Sequence, residues 1–340
     1  MDHRLVPPLQ NSLITVFIPV FNGSHYLPQT IKSLRQQTYI NFEVILIDDH
    51  STDGSFEVVI QETIGDSRFR IMQTPKNLGN AARVLKYGFN LAQGDYFVYS
   101  SQDDLFSSDW LAEMHSRSIE TGAEAVLPDL VFYNPSQLDK QRALIGVNGK
   151  KDIILSGRDA FLLSLNWKIP GNALWKVSLL RKIGWFDFAM NADEYSVREF
   201  FINCNCVAFS KGTFYYRQDN PEAITKKMSI QSFSLPYTDL RLWRLSADND
   251  FEKKIQLMLL NRSISGLMYY TNLAYSRKYK TAIPAIKRTF KEYTDNDAST
   301  WLGKNADGGL ISLFNQIAIR SYAIFVLTSI LRSAIRRVVR

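Results

Sequence analysis

The chain opens with short, nearly unbroken apolar runs, separated by segments in which apolar residues recur every three or four positions. Ile14-Thr-Val-Phe-Ile-Pro-Val20 is rich in β-branched and aromatic residues and runs into the turn-forming pair Asn22-Gly23, which predicts a strand. Across residues 26–37, Leu27, Ile31 and Leu34 share one face of a helix. Residues 42–47 form a second strand, apolar almost throughout, as a strand covered on both faces must be. It stops at Asp48-Asp49, and His50-Ser-Thr-Asp-Gly54 supplies side chains that cap a second helix. A third strand over 68–73, a third helix over 78–92 and a fourth strand over 96–100 follow. The fourth strand also ends near an acidic pair, Asp103-Asp104. This rhythm predicts βαβ units and an α/β, Rossmann-like, doubly wound sheet. Ligands bind such sheets beyond the carboxyl ends of the strands, where both acidic pairs sit.

Beyond residue 226 the pattern turns helical, with Leu240, Leu242, Leu245 and residues 255–260 as core candidates and no chemical motif. In residues 309–340, Leu310, Leu313, Ile317, Ile324, Leu327, Leu331 and Val338 share one helical face. Arg332, Arg336 and Arg340 recur every four residues on another. The apolar run 321–331 is too short for a bilayer, which needs about 20 residues. Two roles stay open for this tail: an in-plane helix on an anionic membrane surface, or a helix docked on its own protein or on a second copy.

Composition narrows the classes. A chain of 340 residues, 46% apolar and 13% aromatic, has the balance of a globular protein, which excludes disordered, collagen-like and coiled-coil chains. The length suggests two domains, or one large domain with an appendage. The net charge of +7 invites an anionic partner. No Asp or Glu follows Asp307, whereas Arg320, Arg332, Arg336, Arg337 and Arg340 do. The rest is close to balanced, so no nucleic-acid footprint is expected. Cys204 and Cys206, one residue apart, would lie on the same side of a strand, poorly placed to bridge each other, and the four histidines are scattered, so neither a disulfide nor a zinc site is expected. The run 13–21 is interrupted by Pro19 and has no small-residue cleavage site after it, so it reads as a strand rather than a leader. A cytoplasmic location is expected.

There is no Gly-x-Gly-x-x-Gly and no P-loop pattern. A carboxylate after the second strand can accept from base N–H or ribose hydroxyls. One after the fourth can hold Mg2+ or Mn2+, whose other positions go to diphosphate oxygens. Taken singly, each Asp-Asp pair is more simply a turn or helix cap. Two at strand ends, with Lys76 and Arg83 between them, favour a nucleotide site.

Residues 15–23, Gln37-Thr-Tyr39, the run from Phe42 to Gly54, Asn77-Leu-Gly79, Ala82-Arg83 and Ala92-Gln-Gly-Asp-Tyr96 together resemble a family 2 glycosyltransferase of the GT-A fold. The resemblance is dense over residues 12–115 and looser to about 220. It implies an inverting transferase that moves a sugar from a nucleotide-sugar to a hydroxyl of a glycan or lipid-linked acceptor, in surface polysaccharide synthesis. It also implies a domain over 1–225, with a donor half at 12–115 and an acceptor half at 116–225. A helical extension at 226–308 and the tail at 309–340 would follow. Asp49 matches the acidic residue that contacts the base or ribose, with Asp48 beside it, and Arg83 the basic residue near the diphosphate; Pro19, Gln102, Asp103 and Arg217 complete the donor-binding positions, and the metal-binding positions are Asp103 and Asp104. Many members carry a further Asp where this chain has Ser101. The catalytic base falls on Asp193 or Glu194, at the start of an apolar-periodic helix where capping is the simpler role. Arg217 either approaches the diphosphate or pairs with an acidic neighbour. Ile169-Pro-Gly-Asn-Ala-Leu174 and Ile183-Gly-Trp-Phe-Asp187 resemble the segments that lie below the donor in this family. Expected ligands are a divalent cation, a nucleotide-sugar and an acceptor at the inner face of the plasma membrane, with a homo-oligomer possible. Two alternatives remain: a sugar nucleotidyltransferase, or a degenerate GT-A protein that binds without turnover.

Overall fold

The computed structural model describes residues 12–338 except 224–225, 276–278 and 307–308. These form two compact units. The first contains the described residues up to Phe186 together with Ser196–Pro221; the second contains Asp187–Tyr195 and the described residues from Glu222 onward.

The chain runs β1 (Ile14–Val20), α1 (Leu27–Arg35), β2 (Phe42–Asp48), α2 (Ser55–Thr63), β3 (Phe69–Gln73), α3 (Ala81–Gly88), β4 (Tyr96–Tyr99), β5 (Leu105–Phe106) and α4 (Trp110–Thr121). Then come β6 (Ala125–Tyr133), β7 (Ala143–Leu144), α5 (Gly157–Ser164), β8 (Leu174–Lys176), α6 (Val177–Ile183), α7 (Ala192–Ile202) and β9 (Val207–Arg217). The sheet order is β3-β2-β1-β4-β8-β6-β9-β5, with β7 on β6. β1 pairs in parallel with β2 and β4, and β2 with β3. This is the Rossmann-like half the alternation predicts. The other half is mixed: β8 runs antiparallel to β4 and β6, while β6 and β9 are parallel. The class is the α/β one expected.

Every residue of β2 is buried, and β1 is buried except at Pro19, because helices cover both faces. α3 lies close on the sheet through Gly88. A Cβ there would fall 2.2 Å from Ile47 Cδ1 and 2.7 Å from Phe17 Cε2, so only glycine fits. α3 also starts three residues later than its apolar period suggests. Leu78 and Gly79 give their backbone N–H groups to Asp49, and Asn80 caps the helix by accepting from Arg83 N at 3.0 Å. Cys204 and Cys206 are unbridged and precede β9 rather than lying in a strand; burial raises both thiol pKa values.

The second unit holds the first turn of α7 and then α8 (Leu235–Asp248), α9 (Lys253–Tyr275), α10 (Ile283–Asp295), α11 (Ala298–Asn305), α12 (Leu310–Ala318) and α13 (Tyr322–Val338). α9 is its centre and packs against the other five numbered helices from α8 to α13. Ser263 on α9 bonds Pro236 O at 2.6 Å and Tyr293 Oη at 2.7 Å, which pins α8 and α10 to it. The tail is therefore two helices, not one. Arg332, expected on an outer basic face, turns inward instead and donates to Ser265 Oγ at 3.2 Å. The Arg336 side chain and Arg340 lie outside the described residues.

Candidate functional site

Three loops at the carboxyl ends of β1, β2 and β4 are tied into one structure by short polar side chains. Asn22 Oδ1 accepts from Thr52 N at 2.9 Å, Ser51 Oγ accepts from Asn22 N at 2.9 Å, and Asp53 Oδ2 accepts from Ser24 N at 3.0 Å. Gln102 clamps the β1 loop from the other side: its Oε1 accepts from Phe21 N at 2.7 Å and its Nε2 donates to Phe21 O at 2.9 Å. Gly23 makes room for that carboxamide, since a Cβ there would fall 2.3 Å from Gln102 Cδ. Gln102 thus shapes the site through the backbone of a neighbouring loop. Pro19, half-buried in β1, sits opposite Ile47 in the parallel register.

Asp48 and Asp49 are both buried but do different things. Asp49 collects the β3–α3 loop: Oδ1 accepts from Leu78 N at 2.7 Å and Thr74 Oγ1 at 3.1 Å, and Oδ2 accepts from Gly79 N at 3.2 Å. Asp48 Oδ2 accepts from Ser51 N and Gln73 Nε2, whereas Asp48 Oδ1 is buried with no protein partner. An orphaned carboxylate oxygen at a strand end is costly unless a ligand donor satisfies it. Arg83, on the first turn of α3, keeps its side chain exposed and donates from Nη1 to Leu78 O at 2.9 Å.

Asp104 is fully enclosed. Its Oδ1 accepts from Arg217 N at 3.1 Å, and its Oδ2 accepts from Ser101 N at 3.2 Å and Ser100 Oγ at 3.3 Å. Burial, and after it the charge of Asp103, push its carboxyl up to about 8 despite those bonds. Asp103 lies beside it, with Oδ2 accepting from Asn220 Nδ2 at 2.7 Å. Arg217 binds them from β9: Nε donates to Asp103 O at 2.6 Å, Nη2 to Gln29 Oε1 at 2.6 Å and Nη1 to Asp219 Oδ1 at 3.2 Å. Its guanidinium also lies over the rings of Tyr26 and Tyr133. Of the two roles open to Arg217, the geometry is that of the paired one.

Arg217→Ala is therefore expected to destabilise the first unit by about 3–5 kcal/mol, because it strands partners in a buried setting. Arg217→Lys keeps the charge but lacks the planar fork and should recover only part of that loss. Urea midpoints measure both; a fall of less than 0.5 kcal/mol in either variant, an ordinary surface effect by the usual ~0.5 kcal/mol threshold, would contradict this assignment.

The first unit brings together Pro19, Asp48, Asp49, Arg83, Gln102, Asp103, Asp104 and Arg217. Asp193 and Glu194 belong to the segment Asp187–Tyr195 of the second unit, in the first turn of α7. Asn220, Gln29 and Tyr26 escape sequence reasoning, because each acts on a residue about a hundred positions or more away. Only the polar stretch that follows Tyr216-Arg217 hints at Asn220.

Among the described residues no three His, Cys, Asp or Glu side chains group as a metal cage. A hard cation takes one or two carboxylates and completes its shell with phosphate oxygens; of the pair, Asp104 is closed off by its own protein donors, which leaves Asp103 as the carboxylate that such an ion could meet.

Comparison with known proteins adds three likenesses. Glycosyltransferase GlyG of Streptococcus pneumoniae serotype 4 is 23% identical over 315 residues, spanning 85% of this chain and 100% of its own. The crystal structure of S. aureus TarS 1–349 in complex with UDP-GlcNAc superposes with a TM-score of 0.67 at 14% identity, covering 95% of this chain and 91% of that one. The mannosyltransferase PcManGT from Pyrobaculum calidifontis, in complex with GDP-Man and Mn2+, gives 0.51 at 15% identity, covering 95% and 86%. At these identities the two structures share the fold. The family model for glycosyl transferase family 2 matches residues 15–184, half of the length, including both acidic pairs, and the chain belongs to that family.

Proposed function

We propose that the protein is an inverting glycosyltransferase that transfers a sugar from a nucleotide-sugar to a hydroxyl of a glycan or lipid-linked acceptor, in surface polysaccharide synthesis. The observation that carries the donor assignment is Asp48 Oδ1, a buried acceptor with no protein partner at the carboxyl end of β2. A base N–H or a ribose hydroxyl would satisfy it. Asp49 and Gln102 support the contact by holding the two flanking loops, and Pro19 holds the strand end that carries one of them.

The diphosphate would lie toward Asp103 and Arg83. Asp103, steadied by Asn220 and by Arg217, would hold Mg2+ or Mn2+ with Asp104 behind it. When bound, the ion supplies positive charge to the leaving diphosphate. Arg83 adds its own at the amino end of α3. The acceptor hydroxyl attacks the anomeric carbon from the face opposite the diphosphate. Its proton passes to Asp193 or Glu194, the nucleoside diphosphate departs with the bonding pair, and the anomeric centre inverts. No covalent enzyme intermediate forms. The family match and GlyG support the class of reaction, and the UDP-GlcNAc and GDP-Man bound in the two structural relatives support the class of donor. The proposed location is cytoplasmic, at the inner face of the plasma membrane.

A thermal-shift screen of UDP- and GDP-sugars, with and without Mn2+, tests this. A cognate donor at 100 times its Kd should stabilise the protein by about 2.7 kcal/mol. Asp48→Ala should abolish the shift. If no nucleotide-sugar raises the Tm, or if one does and no nucleoside diphosphate is ever released with any acceptor, the reading fails.

A further inference from the structure

The last two helices of the second unit are built with their polarity reversed. α12 turns Ser312 and Asn315 inward, and Asn315 is 0% exposed. Asn315 Nδ2 donates to Asn261 Oδ1 of α9 at 2.8 Å, and Asn261 Nδ2 donates to Ser312 Oγ at 3.1 Å. α13 turns Phe325 and Ser329 inward, with Phe325 against Phe290, and sends Arg332 to Ser265. The outer side is apolar. α12 exposes Ile311, Leu313 and Ile317, and the adjoining α13 exposes Ile324, Leu327, Ile330 and Leu331. Ile311 and Leu327 are each 59% exposed. A helix facing water shows the opposite arrangement. Polar side chains turned inward, largely bonded to one another although Asn315 Oδ1 keeps no partner, and apolar side chains turned outward are the arrangement that suits a lipid boundary.

Three occupants could cover this face, and two are disfavoured. Insertion across a bilayer fails, since among the described residues no helix is long and apolar enough to cross a membrane. A second copy meets an electrostatic obstacle. Residues 309–340 hold five arginines and no acid, so a twofold contact would set the exposed Arg320 of one copy against that of the other with no carboxylate from this segment between them. An anionic lipid surface is complementary both to that charge and to the apolar side chains, and Arg320, exposed between the helices, borders them.

We propose that α12 and α13 form an in-plane docking element that seats its outer face in the headgroup boundary of an anionic bilayer. This does not depend on the transferase assignment.

Vesicle flotation of the full-length chain tests it, using phosphatidylcholine vesicles with and without phosphatidylglycerol. Binding should require phosphatidylglycerol, weaken as salt shortens the Debye length, and persist in part through the apolar contact. Leu327→Asp should lower the partition coefficient by roughly 10–100-fold, the loss of one buried leucine side chain. Leu327→Trp, which suits the interface, should raise it several-fold. Because Leu327 is exposed, both variants should keep the Tm of the parent. Equal binding to neutral vesicles, no binding to either kind, or unchanged binding by Leu327→Asp overturns the proposal. A concentration-dependent dimer that Leu327→Asp converts to monomer also overturns it, in favour of a self-association face.

Discussion

Of Asp193→Asn and Glu194→Gln, one is expected to lower kcat by roughly 10²–10⁴ with the donor KM little changed, which is the signature of a lost general base. The amide keeps the shape and much of the hydrogen bonding of the acid but cannot take a proton at neutral pH. Both carboxylates stand in the first turn of α7, where the amide-rich end of the helix favours negative charge. The segment before them is well anchored: Met190 N donates to Ser234 Oγ at 3.0 Å, Thr238 Oγ1 to Asn191 Oδ1 at 2.7 Å, and Glu194 N to Asn191 O at 3.1 Å. The member that serves only the helix should therefore cost about 0.3–1 kcal/mol of stability and leave turnover nearly intact. Single-turnover rates together with melting curves separate the two. Equal, mild losses of kcat would mean that both act only on the helix.

Asp103→Ala should reduce kcat/KM on the order of 10³-fold, the scale of several kcal/mol of charge stabilisation at a leaving phosphate. Metal-dependent nucleotide binding should disappear with it. EDTA on the parent protein should reproduce the loss, and added Mn2+ should reverse the EDTA effect but not the substitution. Asp104→Ala should behave differently, because Asp104 holds Arg217 N and Ser101 N in a closed setting. It should lose stability as well as turnover. Full turnover of Asp103→Ala in EDTA would sink the assignment.

The parallel half of the fold and most of its loops were legible because their information is local. A strand covered on both faces must be apolar along its length, and turn chemistry marks where it stops. β5, β7 and β8 were not legible: two or three residues carry no period, and only their partners define them. Arg217 shows the same limit at a single residue. Its Tyr-Arg context marks it, but whether it meets a ligand or Gln29, Tyr26 and Asp103 depends on contacts that span more than a hundred positions. The division of labour between Asp48 and Asp49 was equally hidden, since it is set by which loop donates to which oxygen. In the tail, periodicity marked Leu313, Ile317, Ile324, Leu327 and Leu331, which the structure spreads over two helices rather than one, while the side chains of Leu310 and Val338 lie outside the described residues. Periodicity could not say that the stripe points outward, because a period defines a face and not what covers it.

The clamp from β9 also has a consequence for synthesis. Asp103 is held by Arg217 and Asn220, which follow it by 114 and 117 positions. At about 5–20 residues per second, a ribosome exposes the acidic pair several seconds before it exposes the residues that arrange it. During that interval the nascent chain carries the motif without the geometry, which arises only after β9 has closed on β6. The same holds for a fragment cut where the family match ends, at residue 184. It would retain both acidic pairs, yet it would lack Arg217 and Asn220, which hold Asp103 in place.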